Sequence, residues 1–384
     1  MDSKSVCMLT QEYRKGGTWV YCSRLAEALV RLGEWESHII CALRKDKSGQ
    51  KVEEYPFNLQ LVETSKSKFF YSRSYWKKSR KEVDRIKPTI VHGNMNLLAS
   101  KGIKNEYPIV ETIHTTFTRE RRGIQGASFP SLNWVEKRLF FAFPWLKKIE
   151  EKLLHRANHL IAVSDVIKDE LIQHYQIEES KITVISNGVD TTNIHYTDQK
   201  TYEKEGDDLV LGYMGRLMVA KGTRLLFPIL SKVKEQVPNV KLLLAGDFSN
   251  ATKKIDFLTE KYNLSKNIEV IDYIHGDSKK SSFYSSLDIF LLPSSHEAMN
   301  LTLLEALACQ IPIVSTPEAV TFKHDNTISI CKRTVNSFAE KIVELYNNPK
   351  KIIEIRKKSK ETALRYSWKN TAVATQTIYE KILG

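Results

Sequence analysis

PSSHEAMNLTLLEALACQIPIVST, residues 293–316, runs out of one apolar segment, DIFLLPS (288–294), and into another, IPIVST (311–316). The reading is strand to Leu292, a short loop, a helix from about Ala298, then a second strand. Two apolar strands joined by a helix form a parallel crossover unit, covered on both faces. Glu297 falls at the start of that helix and Glu305 eight residues on. Eight residues are slightly more than two turns, so both carboxylates project to nearly the same side, about 12 Å apart at ~1.5 Å per residue. Two such groups reach opposite ends of one elongated ligand, and the helix N-terminus offers N–H groups to an anion between them. Taken alone, a capping glutamate plus a surface glutamate is the commoner arrangement.

The same alternation extends in both directions. Strands are predicted at 5–10, 38–43, 59–64, 89–94, 108–114, 159–164 and 181–186, then at 209–215, 240–246, 268–274, 288–294, 311–316 and 327–331. Helical patterns fall between them. In VYCSRLAEALVRLG (20–33), Leu25, Ala28, Leu29 and Leu32 recur at i, i+3, i+4 and i+7, and Gly33 supplies a stop. Two successive series predict an α/β chain of two doubly wound Rossmann-like domains. The polar stretch 186–208, rich in turn residues, separates them. Ligands of such sheets bind beyond the C-terminal ends of strands. That directs attention to Gly16, Gly17, His92 and His114 in the first half. In the second it selects Arg216, Gly246, Asp247 and the segment after Pro293.

The 384 residues are enough for two domains, and 42% hydrophobic with 27% charged residues excludes a disordered chain or a disulfide scaffold. The net charge is +13, and it is concentrated: residues 66–148 hold 18 Lys and Arg against 6 Asp and Glu. Within it, SKSKFFYSRSYWKKSRKEVDRIK (65–87) interleaves cations with Phe69, Phe70, Tyr71, Tyr75 and Trp76. A second cluster, Arg119 to Lys148, surrounds LFFAFPWL. One reading is solvated helix faces over a core-facing aromatic stripe. The other is an interfacial surface, with cations for anionic headgroups and aromatics for the boundary. No nucleic-acid-binding motif is present, so nucleic acid is not an expected partner. Cys7, Cys22, Cys41, Cys309 and Cys331 are odd in number and lack a C-x-x-C, which reads as reduced, buried thiols. Neither a leader pattern at the N-terminus nor an apolar run of membrane-spanning length appears. The expectation is a cytoplasmic protein, peripheral at the inner membrane face.

Two further segments carry chemistry. In GYMGRLMVAKG (212–222), Arg216 and Lys221 stand five residues apart in a loop after a strand. Arg offers a bidentate fork and Lys a point charge, so together they can neutralise a diphosphate; two solvated loop cations are equally compatible. In KGGTWV (15–20), adjacent glycines allow close approach to the backbone at a helix start, though this is not a G-x-G-x-x-G pattern. His114 follows a buried strand. No D-x-D, H-E-x-x-H or G-x-S-x-G occurs, so neither a metal-dependent D-x-D site, a zinc protease nor a nucleophile-elbow hydrolase is expected.

In this order and spacing the segments resemble the retaining glycosyltransferases of family GT4, which have the GT-B fold. Glu297 and Glu305 match the E-x7-E motif and GRLMVAKG the G-R-x-x-x-x-K-G pattern. SNGVD (186–190), VSD (163–165), TIH (112–114) and Gly16-Gly17 match further family segments, and 366–383 the C-terminal helix. The resemblance implies an acceptor-binding domain over 1–190, a nucleotide-sugar-binding domain over 191–365, and a helix over 366–384 that crosses back, the domains facing each other across a cleft. It implies a catalytic set of Glu297, Arg216, Lys221 and His114: the two cations hold the donor diphosphate, Glu297 the donor sugar's hydroxyls, and His114 lies beside the sugar. Glu305 would bind the ribose, with Gly215, Asn300, Leu301, Gly16 and Gly17 completing the donor site. No metal or cofactor is implied; the partners are a nucleotide-diphosphate sugar, a lipid-linked or anionic glycan acceptor and an anionic membrane surface.

The sequence departs from the family at Ala298-Met299-Asn300, where Gly-Phe-Gly is frequent, at Gln310, and at Glu318-Ala319. Two other functions share the architecture: a sugar-nucleotide epimerase and a non-catalytic binding protein. A binding protein has no need of the four retained charges.

Overall fold

The computed structural model describes residues 4–10, 13, 16–44, 53–65, 71–94, 99–125, 129, 132, 134–248 and 251–384. Lys15 and residues 66–70, including Phe69 and Phe70, lie outside the described residues.

Seven strands make the first sheet: β1 (Lys4–Thr10), β2 (Trp35–Arg44), β3 (Asn58–Thr64), β4 (Ile90–Asn94), β5 (Ile109–Ile113), β6 (His159–Ala162) and β7 (Ile182–Val184). Their order is β3-β2-β1-β4-β5-β6-β7, every pair parallel. The helices of this half are α1 (Gly16–Leu32), α2 (Tyr71–Ile86), α3 (Phe117–Gly123), α4 (Trp134–Arg156) and α5 (Asp165–Tyr175). All residues of β4, β5 and β6 are buried, as befits strands covered on both faces, and the burial includes the polar His92, Asn94, Glu111, Thr112 and His159. α1 begins four residues before the predicted start. Trp19 is buried there, edge-on to Tyr13 and Tyr55, so the apolar stripe continues back past Val20. Of the predicted stripe, Leu25, Ala28 and Leu29 are buried and Leu32 half-buried.

The second sheet has six strands: β8 (Leu209–Met214), β9 (Val240–Ala245), β10 (Ile268–Ile271), β11 (Ile289–Leu292), β12 (Ile313–Ser315) and β13 (Ile328–Ile330). The order is β10-β9-β8-β11-β12-β13, again parallel. Its helices are α6 (Thr223–Lys234), α7 (Thr252–Lys261), α8 (Asp277–Ser285), α9 (Leu301–Ala308), α10 (Val335–Tyr346) and α11 (Pro349–Arg365), followed by α12 (Trp368–Leu383). In each sheet the strand order reverses next to the first strand, between β1 and β4 and between β8 and β11. Those are the switch points at which doubly wound sheets bind ligands.

The chain divides into two compact units, one of residues 1–120, 141–188 and 368–384, the other of 121–140 and 189–367. Within the first unit, α12 lies against α1: the Tyr379 hydroxyl is 2.5 Å from His92 Nδ1, and Trp368 is edge-on to Tyr21. Residues 121–140, read from sequence as part of the first domain, belong to the second unit. Within that unit Gly123 packs tightly on His296: a Cβ at Gly123 would fall 1.9 Å from His296 Cε1. All five cysteines are free; four are buried, and Cys331 is half-buried rather than buried as expected.

Candidate active site

In the second unit, two loops leave the C-terminal ends of β8 and β11 at the switch point. They are fastened to each other. Ser295 N–H donates to the Ala220 carbonyl (2.7 Å). Gly222, the cap of α6, has φ +68°, and any Cβ there would sit 1.9 Å from the Pro293 carbonyl oxygen, so only glycine lets the loops approach. Arg333 Nε donates to the same Pro293 carbonyl (2.9 Å).

This fastening sets Lys221 against Glu297. The Lys221 ammonium lies 2.7 Å from Oε1 and 2.6 Å from Oε2 of Glu297. Ser294 Oγ donates to Oε1 at 2.7 Å, and Glu297 N–H donates to the Glu318 carbonyl at 3.1 Å. Glu297 is buried, which by itself pushes its pKa up. The Lys221 charge outweighs that and, with hydrogen bonds from Lys221, Ser294 and Asn300, holds the carboxyl below its ordinary value. An ammonium has three donors, and Glu297 engages two of them. Arg216 extends exposed from the same loop; its carbonyl accepts from the Tyr213 hydroxyl (3.0 Å). Gly215, just before it, donates its N–H to the Ala245 carbonyl (3.0 Å).

The helix carrying Glu305 starts later than the sequence reading has it. α9 runs from Leu301 to Ala308, so Glu297 stands in the loop and the expected spacing along one helix does not apply. Asn300 is the cause. Its Oδ1 accepts from Thr302 N–H (2.8 Å) and Thr302 Oγ1 (2.6 Å), a helix cap that fixes Leu301 as the first helical residue. Glu305, one turn on, is buried and held by two residues of α8. Lys280 forms an ion pair with Oε1, and the Tyr284 hydroxyl donates to Oε2 at 2.9 Å. Burial alone lowers the Lys280 pKa, but the Glu305 charge and hydrogen bond reverse that and leave it raised. Each carboxylate is therefore neutralised by a lysine, and the exposed Arg216 is the surplus charge of the loop.

The first unit holds the other expected residues. Gly16 opens α1 with φ +76° and open space where a side chain would lie; Gly17 is exposed beside it. His114 follows β5, edge-on to Tyr21 of α1 (ring centroids 4.6 Å apart), with Nε2 3.3 Å from Asn94 Oδ1. Burial lowers its pKa to about 4, so the ring is neutral near pH 7. His92 is a buried structural histidine, bound by Tyr379 on one nitrogen and by Thr112 Oγ1 (2.6 Å) on the other.

Residues 15–193 match the family model for Glycosyltransferase Family 4, and residues 196–363 match that for Glycosyl transferases group 1. The chain is a GT4-like glycosyltransferase. It is 23% identical to an uncharacterized glycosyltransferase of Methanocaldococcus jannaschii, over 98% of this chain and 97% of that one. It is 27% identical to the phosphatidylinositol N-acetylglucosaminyltransferase GPI3 subunit of Saccharomyces cerevisiae, over 96% of this chain and 80% of the relative. Among solved structures, Anabaena Alr3699/HepE in complex with UDP-glucose aligns with a TM-score of 0.74 at 14% identity, over 98% of this chain and 99% of that chain. Such likeness shows the fold, the GT-B arrangement of two parallel-sheet domains.

In this glycosyltransferase the sequence reading omitted Lys280, Tyr284, Ser294 and Arg333. A signal for the first two was present. Lys280 and Tyr284 are four residues apart in DSKKSSFYS, so they share a helix face. Ser294 lies beside the quoted glutamate motif. Arg333 carries no local signal, because it reaches the site only through the sheet topology.

Proposed function

We propose that this glycosyltransferase moves a sugar, with retention of anomeric configuration, from a nucleotide-diphosphate sugar to a lipid-linked or anionic glycan acceptor at a membrane face. The observation that carries the reading is the Lys221–Glu297 pair beside Arg216 at the β8/β11 switch point. It joins cations for a departing diphosphate to an ionised carboxylate that accepts hydrogen bonds from sugar hydroxyls.

In the proposed reaction, the bond from the anomeric carbon to the diphosphate oxygen breaks while a bond to the acceptor oxygen forms on the same face. The acceptor's proton passes to the departing diphosphate. Arg216 and the third N–H of Lys221 stabilise the charge that develops on the diphosphate, the main electrostatic task of the transfer, without recourse to a metal ion. Glu297 orients the sugar and Glu305 the ribose. His114, neutral near pH 7, hydrogen-bonds a sugar hydroxyl rather than delivering a proton from an imidazolium.

The name of the GPI3 subunit relative supports a lipid acceptor, and the Anabaena complex supports a UDP-sugar as the first donor to try. The test is a panel of UDP-, GDP- and ADP-sugars screened by thermal stabilisation, since a ligand that binds only the folded state raises the melting temperature. The best donor is then supplied with lipid-linked acceptors and the product anomer read by NMR. A donor that stabilises and an α-linked product from an α-linked donor are expected. Stabilisation by none of the donors, or an inverted product, contradicts the reading.

A further inference from the structure

The two basic–aromatic clusters of the sequence meet around one lysine. The Lys101 ammonium sits 4.2 Å from the Trp76 ring centroid on α2 and 5.4 Å from that of Trp145 on α4, all within the first unit. The clusters are not equal. On α2, Tyr75 is fully buried and Trp76 half-buried, so its aromatics serve the fold. On α4 two aromatics point outward: Phe141 is 72% exposed and Trp145 57%.

From residue 141 onward, the exposed positions of α4 are Phe141, Pro144, Trp145, Lys148, Lys152 and His155, and none is acidic. Phe141, Trp145, Lys148 and Lys152 follow one another at steps of four, three and four, a single stripe along the helix. The opposite side is Leu146, Glu150, Leu153 and Leu154, all buried. Among the described residues, none of Lys77, Lys78, Lys148 and Lys152 has an acidic partner at ion-pair distance, although other lysines and arginines of α2 and its surroundings do.

We infer that this outer face of α4, with the exposed Lys77 and Lys78 of α2, whose Trp76 shares Lys101 with Trp145, docks on an anionic lipid bilayer. Phe141 and Trp145 enter the interfacial layer while the lysine stems reach outward to phosphate headgroups. A stripe of two large exposed aromatics bounded only by cations matches a surface whose boundary is apolar and whose headgroups are negative. The inference rests on the membrane-face reading above and specifies the surface responsible.

The experiment is sedimentation of the full chain with vesicles of phosphatidylcholine, with and without phosphatidylglycerol, at 0.1 M and 1 M salt. Wild type sediments only with the anionic vesicles and is released by salt, as the screening length falls from ~10 Å to ~3 Å. Phe141→Ser with Trp145→Ser lowers binding roughly ten-fold or more, and Lys148→Ser with Lys152→Ser removes the preference for anionic lipid. Melting temperature and nucleotide binding stay unchanged in both. In wild type, brominated lipids quench tryptophan emission, and Trp145→Phe abolishes most of that quenching. If wild type binds but the aromatic pair variant binds as well, α4 is not the docking face, while the membrane-face reading stands. If wild type ignores anionic vesicles, both fall, and acidic protein partners become the alternative.

Discussion

Lys280 and Glu305 meet from adjacent helices, α8 and α9, with only 16% and 6% of their side chains exposed. A largely buried pair costs desolvation on both sides, so removing one partner leaves an uncompensated charge. Lys280→Met is expected to destabilise the second unit by about 3 kcal/mol. Adding Glu305→Gln to that variant should recover part of the loss, because the amide keeps the Tyr284 hydrogen bond without the charge. Urea unfolding of the two single variants and the double variant measures this; strictly additive losses would show that the pair is not coupled.

Glu297 and Glu305 should separate by ligand. Glu305→Ala is expected to weaken bare UDP, whose ribose is present with or without the sugar. Glu297→Ala should leave UDP affinity within about two-fold while lowering transfer by roughly 10²–10³-fold. Calorimetry with UDP alongside turnover with UDP-sugar distinguishes them. Equal losses of UDP affinity would contradict the division of roles.

Arg216 and Lys221 should behave differently, although they share a loop. Arg216 is exposed, so Arg216→Ala should lower kcat/KM by about 10²-fold and leave stability unaltered. Lys221 is the partner of a buried carboxylate. Lys221→Ala should also cost roughly 1–3 kcal/mol of stability, and Lys221→Ala with Glu297→Gln should regain stability but not turnover. Melting curves and kinetics on the three variants decide it; a Lys221→Ala protein as stable as wild type would mean the pair is not held in solution.

That contrast marks how far the sequence could be read. The continuous apolar runs expose the parallel strands, because burial on both faces leaves little room for polar residues, and the two switch points follow from their order. The glutamates, the loop cations and His114 were all visible as residues beyond strand ends. Their partners were not. Nothing in GRLMVAKG says that Lys221 turns toward Glu297, 76 residues on, since that contact depends on Gly222 passing under the Pro293 carbonyl. The start of α9 was misread because Glu297 looks like a first-turn acid. The local hydrogen bonds of Asn300 decide otherwise, and a short polar side chain that caps its own backbone is hard to tell from a donor ligand by sequence. The two charge clusters looked alike in sequence, and only packing distinguishes buried Tyr75 from exposed Phe141.

The pH dependence of stability should have two opposing limbs, and the upper one can be assigned. Glu150 on α4 is buried; it accepts the Phe117 N–H (3.1 and 3.2 Å) and the Tyr175 hydroxyl. Burial, helped by the charges of Glu120 and Glu170, outweighs those hydrogen bonds and pushes its pKa up to about 8. Glu111 on β5, buried beside Ser100, is raised to about 7 for the same leading reason. A carboxyl with a raised folded-state pKa contributes stability that is full below its unfolded value near 4.5 and lost as pH rises through the folded value. Between pH 6.5 and 8 the folded chain keeps the Glu150 proton and the unfolded chain does not, a slope of about 1.4 kcal/mol per pH unit. On the acid side, burial lowers His92 to about 3, and His114 and His159 to about 4, so their stability is full above 6.5 and lost as pH falls toward 4. Melting temperature should therefore peak near pH 6 to 6.5, as expected from these two limbs, and decline toward pH 8. Glu150→Gln, which has no proton to lose, should flatten the decline, and adding Glu111→Gln should flatten it further; because the unfolded carboxyls already lose their protons above 4.5, both variants should also rise more steeply between pH 5 and 6 and reach their maximum at higher pH. Scanning calorimetry of the wild type and both variants between pH 5 and 8.5 measures it, and an alkaline limb equally steep in all three would place its origin in other groups.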